Sequence, residues 1–189
     1  MAGQNLNGLR VAILATNLFE EAELFEPRKA LDQAGAKTFV ISPKPGEIQA
    51  VQHDKKTKTV KVDMTLDNAK PEDFDAVLLP GGAMNADALR MERKAQDFVK
   101  KIDQEGKPIA VICHGGWLLV SAGLIKGHTM TSYHTIQDDI RNSGANWKDE
   151  EVVVDGKWVS SRQPSDIPAF NREMIRVFSE QAVAGKKAA

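Results

Sequence analysis

The sequence predicts a three-layer α/β sandwich with a mostly parallel central sheet. Short, continuously nonpolar runs such as "DAVLLP" and "PIAVIC" alternate with helical patterns along the chain. Runs nonpolar at every position belong to strands buried on both faces, which is where a parallel sheet covered by helices places them. Of the 189 residues, 42% are hydrophobic, enough for one sizeable core and too little chain for a second. We therefore expect one domain over 1–189, with 1–8 and 184–189 frayed.

The elements follow in order. "LRVAILAT" (9–16) opens as a strand and leads to a helical stretch at 20–35, where Pro27 lacks an amide donor and should kink or restart the helix. "KTFVISP" (37–43) is the next strand. The polar segment "PGEIQAVQHDKKTKTV" (45–60) reads as an excursion or β-ribbon beside the sheet, with "TVKVDMTL" (59–66) again β-rich. "DAVLLPGG" (75–82) is a strand ending in two glycines, and the next helix carries Ala95, Phe98, Val99 and Ile102 on one face. "PIAVIC" (108–113) turns directly into a helix from 115. Gly35, Gly106 and Gly123 each follow a helical stretch, where a left-handed residue ends it. "EEVVVDGKWVSSR" (150–162) reads as a hairpin turning at Asp155-Gly156. "SDIPAFNREMIRVFSEQAV" closes the chain as a helix, with Ser165 or Asp166 as cap, Pro168 in the first turn and Phe170, Met174, Val177 and Phe178 on one face.

Charge and composition exclude several classes. With 25 basic and 26 acidic side chains the net charge is −1, so no whole-molecule field favours nucleic acid or an anionic membrane. Nonpolar runs are too short to span a bilayer and the start lacks a signal-peptide segment, so we expect a cytoplasmic protein. The one cysteine cannot form an internal disulfide. Histidines at 53, 114, 128 and 134 lack metal-ligand spacing, and we assign neither a metal nor a cofactor.

Chemistry concentrates in "AVICHGGWLLVSAG" (110–123). A strand that ends on Cys113 and turns straight into a helix presents the side chain at the carboxyl edge of the sheet, where α/β proteins bind ligands. Unpaired amides at the helix start favour thiolate, so a low-pKa thiol is expected. His114 is a candidate base that would need a third group to orient it. Carboxylates are available in "NLFEEAEL" and "PGGAMNADALR", whose loops open on the same edge. The amides of Gly81, Gly82 and His114 are candidates for holding an oxyanion. His53, in a charged excursion, reads as solvated. His134 reads either as lining the pocket or as structural, and Trp117, Trp147 and Trp158 as packing anchors.

Together, "VAILATNLFEEAEL", "DFDAVLLPGG", "AVICHGGWLL" and "IPAFNREMI" resemble segments of the PfpI-type intracellular protease and protein deglycase family, within the superfamily of the Parkinson-disease-associated deglycase. The resemblance implies a flavodoxin-like, class I glutamine amidotransferase-like fold, Cys113 as nucleophile and His114 as its partner. It further implies that Glu20 is the acid reaching the sulfur, and that Asp87 of a neighbouring subunit completes a triad in a homodimer or larger homo-oligomer. An ionised carboxylate beside Cys113 would oppose the thiolate, so Glu20 is expected to be protonated there and to stabilise an oxidised sulfinate.

Three functions fit these residues. One is a cysteine-dependent, stress-protective enzyme acting on reactive carbonyls, with a small carbonyl compound or a glycated protein or peptide as substrate. The second is an intracellular peptidase using the same site. The third is a redox-sensing chaperone. The motif residues are common to the first two and do not divide them.

Overall fold

The computed structural model describes residues 5–188, with side-chain surroundings given through residue 180. The chain opens with β1 (Arg10–Leu14), β2 (Phe19–Glu20), α1 (Glu21–Gln33) and β3 (Lys37–Ser42). It continues through β4 (Glu47–Gln52), β5 (Lys55–Lys61), β6 (Met64–Thr65), β7 (Ala76–Leu79), α2 (Ala83–Arg90) and α3 (Arg93–Gln104). Then come β8 (Ile109–Ile112), α4 (Gly116–Ser121), β9 (Thr129–Met130), α5 (Gln137–Asn142), β10 (Asn146–Trp147), β11 (Val152–Asp155), β12 (Trp158–Ser161) and α6 (Ile167–Ala188).

Seven strands form the central sheet in the order β11-β12-β8-β7-β1-β3-β6. All neighbours are parallel except the β11–β12 hairpin at one edge. Alternating strand residues feed two separate cores. Val11, Ile13, Leu78 and Ile112 pack with α1 and α6 through Leu24, Phe170 and Phe178. Ala12, Leu14, Leu79 and Val111 pack with the other helices through Leu89, Phe98 and Leu119. This is the expected three-layer sandwich, and the strand runs are nonpolar at every position because each side faces a core.

Several local expectations need adjusting. α1 runs unbroken through Pro27, whose ring is buried. The β11–β12 turn falls one residue later than expected, because Asp155 still pairs with Trp158 and leaves Gly156-Lys157 as the turn. There the Asp155 carboxylate accepts from the Thr129 amide at 2.9 Å, which commits it to the strand end. Within the stretch 1–8, Leu6 is fully buried and its amide donates to the Ala34 carbonyl at 2.9 Å, so it is not frayed. At the other end α6 extends to Ala188; residues 1–4 and 189 lie outside the described residues.

Chain direction determines where chemistry gathers. From β1 the chain passes to β3 and β6 on one side, then crosses to β7, β8 and β12 on the other. The order therefore reverses between β1 and β7, and the carboxyl ends of these strands and of β8 open on one crevice. Beside it a second sheet, β2-β4-β5, carries the β4–β5 ribbon. No helix among the described residues is long and apolar enough to cross a membrane.

Candidate active site

Cys113 follows β8 at once, with φ of +61°. A non-glycine residue in the left-handed region is strained, and such strain persists only where the surroundings hold it. Here the Cys113 carbonyl accepts the Tyr133 amide at 3.2 Å, and the chain continues into a single 3-10 turn and then α4. The side chain is held up at the crevice floor, 7% exposed.

The carboxyl group at the sulfur belongs to Glu23, not to Glu20 as expected. Glu23 is fully buried in the first turn of α1, and its carboxyl group and the Cys113 side chain converge at Gly81. Its Oε2 accepts the Gly81 amide at 2.8 Å, while the buried Oε1 has no hydrogen-bond partner. An ionised carboxylate left so bare is costly. Burial pushes Glu23 up to about 8, the Cys113 side chain opposes the rise, and the Glu20 charge adds to it. At neutral pH Glu23 is therefore held mostly protonated. The physical requirement placed on Glu20 is met three residues later, one turn into the helix.

Glu20 has a different task. Its Oε2 accepts the His53 amide at 3.1 Å, at the turn of the β4–β5 ribbon where His53 has φ of +59°. His53 is exposed, as expected, and also stands on the wall of the crevice.

The Cys113 thiol also departs from expectation. Burial raises it well above its ordinary value, and an ionised Glu23 would raise it further, while the amides of Gly82 and His114 lower it. With Glu23 protonated the charge repulsion is absent, while burial still raises the thiol. The short helix α4 is a smaller influence than the expected low-pKa thiol assumed.

His114 lies beside Cys113 in space as well as in sequence, with Nδ1 3.1 Å from Sγ. Its Nε2 meets the hydroxyl of Thr135 at 3.2 Å. Burial, then the His134 charge, lowers the His114 pKa. Asp87 is exposed on α2 and makes no hydrogen bond or ion pair with His114 among the described residues. His134 is exposed with its ring 4.4 Å from that of Tyr133.

The two glycines divide the oxyanion role. Gly81 does not supply a free amide, since its N–H is committed to Glu23. A side chain at Gly81 would place Cβ 2.4 Å from Glu23 Oε2 and 2.7 Å from Cys113 Cβ, so glycine is required for the approach of these groups. Gly82, at φ of +87°, turns its amide to the sulfur beside that of His114. Those two N–H groups are the available pair for a developing oxyanion.

Above them is a cleft of about 990 Å³ walled by Leu18, His53, Met84, Tyr133 and Pro164. Leu18, His53 and Cys113 are the three non-glycine residues with positive φ among those described, and all three line this cleft. No group of three or more His, Cys, Asp or Glu among the described residues is arranged to hold a metal ion. Sequence reasoning missed Thr135, whose only signal is its spatial nearness 21 residues along. It placed Glu23 within the right segment but chose the wrong carboxylate.

Comparison with known proteins places the chain in a family. The DJ-1/PfpI family model matches residues 9–177. The chain belongs to the DJ-1/PfpI family. It is 43% identical to Deglycase PfpI of Pyrococcus furiosus, covering 89% of this chain and 99% of that one. It is 39% identical to Protein/nucleic acid deglycase 2 of Escherichia coli, covering 89% and 96%. A ThiJ/PfpI domain protein from Brachyspira murdochii shares the fold with a TM-score of 0.84 at 24% identity, over 94% of this chain and 99% of that chain.

Proposed function

We propose that this protein is a cysteine-dependent hydrolase that removes reactive-carbonyl adducts from amines and thiols, with Cys113 as nucleophile. The observation that carries the reading is Cys113 Sγ on a left-handed elbow, 3.1 Å from His114 Nδ1, with the buried carboxyl of Glu23 converging on the same place. Glu23 and the two amides stabilise charge on sulfur and on the oxygen of the adding carbonyl, while Nδ1 of His114 takes and returns protons.

For an adduct of methylglyoxal bound in the cleft, the carbinol carbon releases its amine there, and the thiolate forms a carbon–sulfur bond at the resulting aldehyde carbon before it can leave. The carbon's proton then passes to the neighbouring ketone carbon by way of an enediol, leaving a thioester. Water breaks the carbon–sulfur bond. The sum is adduct plus water giving free amine plus lactate, with no external oxidant or reductant. The cleft supports an adduct carried on a side chain as substrate, because its volume lies at the upper end of the range for small-molecule pockets and far exceeds a free three-carbon carbonyl. Peptide-bond cleavage is the weaker reading, since a buried thiol with a raised pKa is poorly suited to attacking an unactivated amide.

The test follows lactate and free amine released from a freshly prepared methylglyoxal-treated lysine peptide, with wild type and Cys113→Ser. Release above buffer that disappears in the variant is expected. Equal release from both proteins overturns the reading.

A further inference from the structure

We propose that Thr135 is the residue that orients the general base, by accepting the Nε2–H of His114 and so holding the imidazole in the tautomer whose Nδ1 lone pair faces the Cys113 thiol. A neutral imidazole has one N–H and one acceptor nitrogen, and the bond made at one determines the role of the other. At His114 both positions are occupied, by Sγ at 3.1 Å on Nδ1 and by the Thr135 hydroxyl at 3.2 Å on Nε2.

Within this chain, the other groups around the ring cannot do this work. Tyr133 and Trp117 pack on it at centroid distances of 4.9 and 5.3 Å. These aromatic contacts hold the plane of the ring, yet they do not distinguish its two nitrogens. The one polar atom of Trp117 is committed to Asp139 at 2.9 Å. The charged groups of this chain facing His114 are Cys113, when ionised, and His134, which when protonated repels an imidazolium. A half-turn of the imidazole about its Cβ–Cγ bond would swing Nδ1 away from sulfur and put carbon in its place. The Thr135 bond on the far side opposes that turn.

A hydroxyl in this place differs from a carboxylate in one consequential way: it accepts the N–H but carries no charge. It therefore fixes direction while stabilising the imidazolium much less than a carboxylate would, and His114 stays neutral until the thiol proton arrives. That suits a base which must be unprotonated at neutral pH.

The role in turnover rests on the proposed hydrolase reading, whereas the tautomer can be observed without any activity. Nitrogen-15 spectra of histidine-labelled protein, assigned with His114→Gln, report which ring nitrogen carries hydrogen. We expect the Nε2–H form in wild type and in Thr135→Ser, and a mixture of tautomers in Thr135→Val, whose kcat on the adduct peptide falls about 10-fold with KM little changed. Thr135→Asp should raise the His114 pKa by about 1 to 3 units. An unchanged tautomer in the valine variant overturns the proposal, as does a serine variant that fails to restore it. If no protein turns over the adduct, the hydrolase reading fails alone and the spectra still decide the role of Thr135.

Discussion

Two histidines in this molecule sit in opposite settings. His128 places Nδ1 2.9 Å from the Asp155 carboxylate and stacks flat on Trp158, with centroids 4.0 Å apart and planes 8° from parallel. The Trp158 indole is itself tied to Asp103 at 3.1 Å. His114 has a sulfur on one nitrogen and a neutral hydroxyl on the other. The chain thus builds a carboxylate-backed histidine, and builds it away from the cleft. A partner with charge makes a clamp joining β9 to the β11–β12 hairpin, while a neutral partner leaves a base free to exchange its proton. Residue type alone does not separate these roles; the second neighbour does.

The sharpest way to break this contrast is to truncate each histidine. His114→Ala should lose about 10²- to 10⁴-fold in kcat/KM on adduct peptide, as expected for removal of a general base, with its melting temperature nearly kept. His128→Ala should keep the activity and lose about 1 to 3 kcal/mol of stability, read as a drop in the thermal midpoint. The reverse pattern would undo the assignment.

A second prediction concerns pH. Because folding raises Glu23 from 4.5 to about 8, the native state binds the extra proton between those values. Stability from this group is complete below pH 4.5, declines as pH rises and is gone above about 8. Activity should also fall as Glu23 ionises beside the sulfur. In Glu23→Gln, urea midpoints measured from pH 5 to 9 should lose that slope, and a slope equal to wild type would mean another group carries it.

The smallest effect is expected at Glu20. Removing its charge with Glu20→Gln frees the turn at His53 while leaving Cys113 and Glu23 in place. Activity should change by only a few-fold, and the His53 amide should exchange with deuterium faster than in wild type. A loss as large as that of His114→Ala would return Glu20 to the chemistry at sulfur.

The elbow at Cys113, the two-sided strands and the glycine turn at 81–82 are local patterns, and each was legible because its cause is local. A nonpolar run cannot end in Cys-His-Gly-Gly without making a turn, and four consecutive nonpolar strand residues must face two cores. The choice between Glu20 and Glu23 was different in kind. The two acids are three residues apart, so they rise from neighbouring turns on one side of the chain, and only the placement of α1 against Gly81 decides which reaches the sulfur. Likewise the Gly81 amide looked free until Glu23 was found bonded to it, and Thr135 bore no sequence mark of its contact with His114. The sequence by itself determined the sheet, the elbow and the identity of the thiol. Tertiary structure alone decided which acid and which hydroxyl surround it, because hydrogen bonds across distant segments depend on angstrom-scale packing that no residue spacing encodes.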